Sequence, residues 1–132
     1  MARVTVAAPG AKLLVVEDDR DIAESLAALL ADEGYRVETA PDGVAASAQA
    51  RAAPPDAILL DLMLPLLDGV GVAEELARAG LGLAKVPIIL LSAGQELATG
   101  AKKIGTPYVL RKPFELDDLL KMIDRALAER GA

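Results

Sequence analysis

The 132-residue sequence contains no cysteine and no histidine, and each absence removes a class of chemistry. A chain without cysteine has no disulfide, no thiolate metal ligand and no cysteine nucleophile. A chain without histidine has no imidazole base, no histidine–metal site and no phosphohistidine. Any metal site must therefore use oxygen ligands, and any reactive group must be a carboxylate, a hydroxyl or an amine.

Aromatic residues are also scarce, the net charge is negative, and long hydrophobic runs are missing. Aromatics make up 2% of the chain and tryptophan is absent, so the core must consist of Val, Ile, Leu and Ala. The net charge of −6 argues against a domain that mainly binds nucleic acid or an anionic membrane. Apolar runs such as 88–91 are too short to span a bilayer, and no secretory signal precedes them. We therefore expect a cytoplasmic protein with no nucleic-acid or membrane partner.

The length and the hydrophobic content of 53% are typical of one folded domain. Residues 1–10 are expected to form a flexible leader, and residues 11–130 the domain. The sequence offers no candidate for a separate output domain.

Short apolar runs alternate with amphipathic stretches along the whole domain. Strands are predicted over residues 12–16, 35–39, 56–60, 86–91 and 108–110, and helices over 19–33, 41–52, 68–79, 95–104 and 115–130. The second strand alternates polar and apolar residues, which is typical of a sheet edge. The pattern predicts an α/β fold with five helices and a doubly wound, flavodoxin-like parallel sheet of order 2-1-3-4-5.

Acidic residues follow two strands that this order makes neighbours. Glu17 and Asp18 end the first strand, and Asp61 ends the third. The carboxyl ends of parallel strands meet at one edge of a sheet, so these three carboxylates should converge. Two carboxylates about 4 Å apart repel by roughly 4 kcal/mol at an effective dielectric constant near 20. The group therefore indicates a hard cation such as Mg²⁺, whereas Asp19 and Asp21 are better explained as helix-start residues.

Two further polar residues follow the remaining strands. Ser92 comes directly after the fourth strand, and Lys112 comes after the fifth. Each would be an ordinary loop residue if considered alone. Together with the acids, they place a hydroxyl and an ammonium at the same edge of the sheet.

This set of motifs resembles the receiver domain of two-component response regulators over about residues 12–130. The resembling segments are Leu-Val-Val-Glu-Asp-Asp at 14–19, Asp-Leu-Met-Leu-Pro at 61–65 with Asp-Gly at 68–69, Leu-Ser-Ala at 91–93 and Arg-Lys-Pro-Phe at 111–114. The resemblance implies that Asp61 accepts a phosphoryl group. It implies that Glu17, Asp18, Asp61 and the backbone carbonyl of Met63 bind Mg²⁺, that Ser92 is the switch hydroxyl, and that Lys112 pairs with the phosphate.

The resemblance also implies partners and a signalling role. The phosphoryl donor would be a histidine kinase or a histidine phosphotransfer protein. A downstream protein would bind the surface of the fourth helix, fifth strand and fifth helix, and the chain would be a monomer or weak dimer. Such a domain is not an enzyme in the ordinary sense, because it catalyses only its own phosphorylation and dephosphorylation.

One position departs from the family pattern. Receivers commonly have an aromatic residue three places before the lysine, where this chain has Val109. Tyr108 is adjacent, but neighbouring strand residues face opposite sides of a sheet. The main alternative is therefore a receiver-fold interaction module that acts without phosphorylation.

Two enzyme-like alternatives fit less well. A haloacid-dehalogenase-like phosphatase needs an acid where Met63 stands. A dinucleotide-binding domain needs a glycine-rich turn in place of residues 17–19.

Overall fold

We describe a computed structural model of the protein over residues 8–61, 74, 86–93 and 101–130. Its strands are β1 (Lys12–Val16), β2 (Arg36–Ala40), β3 (Ala57–Asp61), β4 (Ile88–Ser92) and β5 (Val109–Arg111). Its helices are α1 (Arg20–Asp32), α2 (Gly43–Ala52) and α3 (Leu116–Glu129). Of the third and fourth predicted helices, only Glu74 and residues 101–104 are described, and all of these are helical.

The five strands form one parallel sheet of order β2-β1-β3-β4-β5. This confirms the predicted fold class and places the alternating strand at the edge. β3 and β4 are buried along their whole length, because helices cover both of their faces. β2 alternates between exposed and half-buried positions until Ala40.

Two apolar layers pack on opposite faces of the sheet. One contains Leu14, Ile58 and Leu90 with Ala46 and Ala50 of α2. The other contains the next residue of the same strands, and it joins Leu30 of α1 to the buried stripe of α3. That stripe is formed by Leu119, Leu120, Ile123, Ala126 and Leu127. The sheet is therefore packed on both faces, and the carboxyl ends of its strands lie along one edge.

The ends of the first two helices follow local chemistry. The Asp19 carboxylate accepts a hydrogen bond from the Ile22 amide at 3.1 Å and caps α1. Asp42 caps α2 through Ala45 at 2.8 Å, so α2 begins after Pro41 rather than at it. The turn after α1 is at Gly34, whose φ of +109° is a conformation that side-chain-bearing residues rarely adopt.

Residues 8–10, at the end of the predicted leader, contact the rest of the fold. The Gly10 amide donates to the Gly34 carbonyl at 2.7 Å, and Ala8 packs against the α3-side layer. No helix within the described ranges is long and apolar enough to cross a bilayer.

Candidate functional site

Three of the five buried polar side chains in the described part of the molecule lie at the carboxyl edge of the sheet. Glu17, Asp61 and Ser92 follow or end β1, β3 and β4, and they are 3%, 4% and 2% exposed. The topology thus brings together residues that are 31 and more positions apart in sequence. Buried polar groups need hydrogen-bond partners, so a cluster of them at one edge marks this edge as the candidate functional site.

Lys112 supplies the positive charge at this edge. Its ammonium donates to the Oδ2 atom of Asp61, and its side chain is 25% exposed against 5% for that carboxylate. The backbone amide of Lys112 donates to the Ser92 carbonyl at 2.9 Å, which continues the β4–β5 pairing by one residue. The lysine is therefore positioned by the sheet as well as by its ion pair.

Glu17 is the electrostatically perturbed member of the group. Its amide donates to the Ala40 carbonyl at 3.0 Å, which holds it at the end of β1. The pKa of Glu17 is raised to about 7. Burial is the largest cause and the nearby Asp61 carboxylate is the second, whereas the positive charge of Lys112 lowers the pKa. Its Oε2 atom is buried and has no hydrogen-bond partner. A carboxylate left in this state is a ready ligand for a cation.

The other predicted metal ligands are less well placed around a single point. Asp18 is exposed, although it lies close enough to Glu17 to contribute to its raised pKa. Within the described residues, no three acidic side chains form a ready-made metal site. Met63, whose carbonyl was expected to be a ligand, lies outside the described residues. The structure therefore brings together Glu17, Asp61, Ser92 and Lys112, with Asp18 at the rim.

Tyr108 and Val109 face opposite sides of the sheet, as strand alternation predicts. Tyr108 is buried in the α3-side layer, whereas Val109 packs against the α2-side layer. The Tyr108 hydroxyl donates to Glu129 at 2.6 Å, and the Arg125 guanidinium lies 5.3 Å from the ring centroid. This hydrogen bond raises the pKa of Tyr108. Tyr108 is therefore attached to the last helix and does not occupy the position of the missing aromatic.

A cavity that the sequence does not predict opens beside these groups. It lies between α1 and Phe114, and the helical spacing of Ile22, Leu26 and Leu29 was its one visible signal. Apolar residues at such spacing ordinarily form a core-facing stripe. Instead, Ile22 and Leu29 are 47% and 48% exposed, while Ala23 and Leu30 are the buried residues of the helix.

Comparisons with known proteins agree on one family. The family model described as "Response regulator receiver domain" matches residues 13–124. The response regulator MprA of Mycobacterium ulcerans is 40% identical over 121 residues, which are 90% of this chain and 50% of that protein. The transcriptional regulatory protein DltR of Streptococcus agalactiae is 40% identical over 114 residues, which are 85% of this chain and 50% of that protein. The chain thus spans about half the length of these curated relatives.

Solved structures with the same architecture are similarly related. The chemotaxis response regulator CheY4 of Vibrio cholerae has a TM-score of 0.77 at 33% identity, covering 89% of this chain and 98% of that one. The receiver domain of the sensor histidine kinase PA1611 of Pseudomonas aeruginosa has a TM-score of 0.79 at 33% identity, covering 90% and 98%. The latter is described with a magnesium ion coordinated in its active-site cleft.

Proposed function

Because this chain belongs to the response regulator receiver-domain family, we propose that it accepts a phosphoryl group on Asp61 and signals through the resulting change in conformation. The observation that carries this proposal is the pairing of the buried Asp61 carboxylate with the ammonium of Lys112. A buried aspartate at a strand end, paired with a lysine, is a nucleophile that can be protected from bulk water and still meet a donor at the sheet edge.

The proposed reaction is a transfer between two nucleophiles. A carboxylate oxygen of Asp61 attacks the phosphorus of a phosphohistidine, a P–O bond forms, and the P–N bond to the donor imidazole breaks. The imidazole retains the bonding electron pair and takes a proton. Phosphoryl transfer depends mainly on positioning and charge neutralisation, so Lys112 acts by balancing negative charge that moves onto the phosphoryl oxygens.

The donor set at this edge fits a hard divalent cation. Glu17 has an orphaned, buried oxygen and lies against Asp61, and Asp18 is adjacent. Carboxylate oxygens are the ligands that Mg²⁺ prefers. We propose that Glu17, Asp18 and Asp61 hold Mg²⁺, with the Met63 carbonyl as a further ligand. When bound, Mg²⁺ would supply the second positive charge that a phosphoryl group on Asp61 requires.

Ser92 is proposed as the hydroxyl that detects the phosphoryl group. It is 2% exposed at the end of β4, and its carbonyl is tied to the Lys112 amide. A hydrogen bond from its hydroxyl to a phosphoryl oxygen exists only in the phosphorylated state. It therefore biases the equilibrium between two conformations of the segment that follows β4.

The proposed partners follow from this chemistry. The donor is a histidine kinase or histidine phosphotransfer protein, since this chain has no histidine of its own. The output is binding to a downstream protein through the surface of the fourth predicted helix, β5 and α3. The receiver-fold module that acts without phosphorylation remains the competing function, favoured by the valine at position 109.

Intact-mass spectrometry after incubation with a small phosphodonor tests the proposal. We expect one added phosphoryl group in the presence of Mg²⁺ and none in EDTA. Asp61→Asn should abolish the mass increase, and Asp18→Asn should reduce it through weaker metal binding. Asp117→Asn is the matched control, because Asp117 is an exposed aspartate in the first turn of α3. Unchanged phosphorylation of Asp61→Asn, or no phosphorylation of the native chain, would contradict the proposal.

A further inference from the structure

A cavity of about 350 Å³ lies next to the phosphoacceptor edge, between α1 and Phe114. Its inner end is the sheet itself, where it is lined by Val15, Leu59 and Leu91, which are at most 2% exposed. The cavity therefore penetrates to the hydrophobic layer on the α3 side of the sheet. Its volume is in the range of pockets for small organic molecules, roughly 300–1,000 Å³.

The α1 wall of this cavity is apolar and incompletely covered. Ile22, Leu26 and Leu29 are spaced four and three residues apart, so they form one stripe along the helix. Ile22 and Leu29 are two of the three large hydrophobic residues that the described part of the chain leaves exposed. Phe114 forms the opposite wall. A flat apolar ring system between the two walls would remove both the α1 stripe and the Phe114 ring from water.

The same wall carries two polar groups one helical turn apart. Asp21 and Ser25 line the cavity and lie on the same side of α1 as Ile22. Among the described residues no cation is paired with Asp21, since the neighbouring Arg20 binds Glu24 at 3.0 Å. Lys112, the cation in the cavity lining, is paired with Asp61. A ligand that complements this wall must therefore bring its own positive charge.

We propose that this cavity binds a small amine with a flat apolar body. The ring system lies between the α1 stripe and Phe114, and the ammonium group donates to the Asp21 carboxylate and the Ser25 hydroxyl. Glu17, Asp61 and Lys112 also line the cavity, so it adjoins the proposed Mg²⁺ site. The amine is placed on the α1 wall, at Asp21 and Ser25, and not on the Glu17 and Asp61 carboxylates. Its occupancy does not require that the chain be phosphorylated.

Fluorescence titration with 2-naphthylmethylamine tests the proposal on the full chain. The protein has no tryptophan and only two tyrosines, which emit at shorter wavelengths than naphthalene, so the naphthalene emission can be followed with little interference. We expect saturable binding with one ligand per chain, in Mg²⁺ as in EDTA. The uncharged 2-naphthalenemethanol should bind roughly threefold more weakly, which is typical of one exposed ion pair. Asp21→Asn should remove that difference without preventing the alcohol from binding.

Ile22→Ser and Leu29→Ser should each weaken both probes at least severalfold, and because both side chains are half exposed these variants should fold. Val44→Ser is the matched control, since Val44 is 83% exposed on α2 and lies away from the cavity. Binding that survives both α1 substitutions would overturn the proposal. Displacement of the bound amine by Mg²⁺ would also overturn the proposal, because it would show that the ammonium occupies the metal site.

Discussion

Glu17 shows at the residue scale how the fold alters the chemistry of one side chain. The residue is an ordinary acid in the sequence, but its burial beside Asp61 raises its pKa to about 7. The protonated form is therefore favoured in the folded state and the ionised form is penalised. The resulting stabilisation is fully present below the unfolded pKa of 4.5 and is lost as the pH rises through about 7.

The metal-free protein should accordingly lose stability between pH 5.5 and pH 8, by on the order of 2 kcal/mol from Glu17 alone. Thermal unfolding in EDTA measures this, and Glu17→Gln should flatten the pH dependence because an amide does not titrate. Glu24→Gln, an exposed change on α1, serves as the control and should leave the native slope unchanged. Equal slopes for native protein and Glu17→Gln would show that Glu17 ionises normally.

At the scale of elements, α3 is attached to the sheet by polar contacts in addition to its apolar stripe. Tyr108 donates to Glu129 at 2.6 Å, and Tyr35 donates to Asp124 at 2.8 Å. Arg130 forms an ion pair with Asp56 at 2.8 Å just beyond the helix. These contacts fix the second half of α3, so movement at β5 should not be transmitted through Tyr108.

Tyr108→Phe should destabilise the protein by about 1 kcal/mol, the usual contribution of one hydrogen bond. Denaturant unfolding measures the loss. Since Glu129 is solvated, adding Glu129→Gln to Tyr108→Phe should cost little more, and the two changes together should be less than additive. Fully additive losses would mean that the two side chains do not interact in solution.

At the scale of the whole molecule, Tyr108 and Val109 face opposite layers of the sheet, and we expect this to decide where a signal can leave the domain. Val109 has a short, β-branched side chain with few rotamers, so it cannot move as an aromatic ring does. We expect the signal to leave through Ser92 and the segment that follows it. That segment leads into β5 past Thr106, whose hydroxyl donates to the carbonyl of Ile88, the first residue of β4, at 2.6 Å.

Hydrogen exchange with and without beryllofluoride and Mg²⁺ tests this route. We expect changes in peptides that cover residues 92–104, because only the phosphoryl-like state offers the Ser92 hydroxyl a phosphoryl oxygen to bind. Peptides covering α3 should change little. The Asp61→Asn variant should show no change in exchange in either set of peptides. Changes confined to Tyr108 and α3 would contradict the proposed route, and no change in the native protein would favour the phosphorylation-independent module.

The sequence by itself determined the sheet order, its edge strand and the set of polar groups at the strand ends. This was possible because apolar runs and alternation report directly on burial, and parallel strands necessarily end at one edge. The caps at Asp19 and Asp42 are local in the same way, although the first residue of α2 was predicted two positions early. Because its position predicts a helix cap, Asp19 could be told apart from the acids of the candidate site by sequence alone.

Only the tertiary structure decided how those groups meet. Lys112 pairs with Asp61 across 51 residues, and Glu17 is buried while its neighbour Asp18 is exposed. The stripe of Ile22, Leu26 and Leu29 on α1 likewise has the spacing of a core-facing surface, yet all three residues line a cavity. Such distances depend on how helices dock and which rotamers the packing permits. These are properties of several elements at once, and no single segment of sequence specifies them.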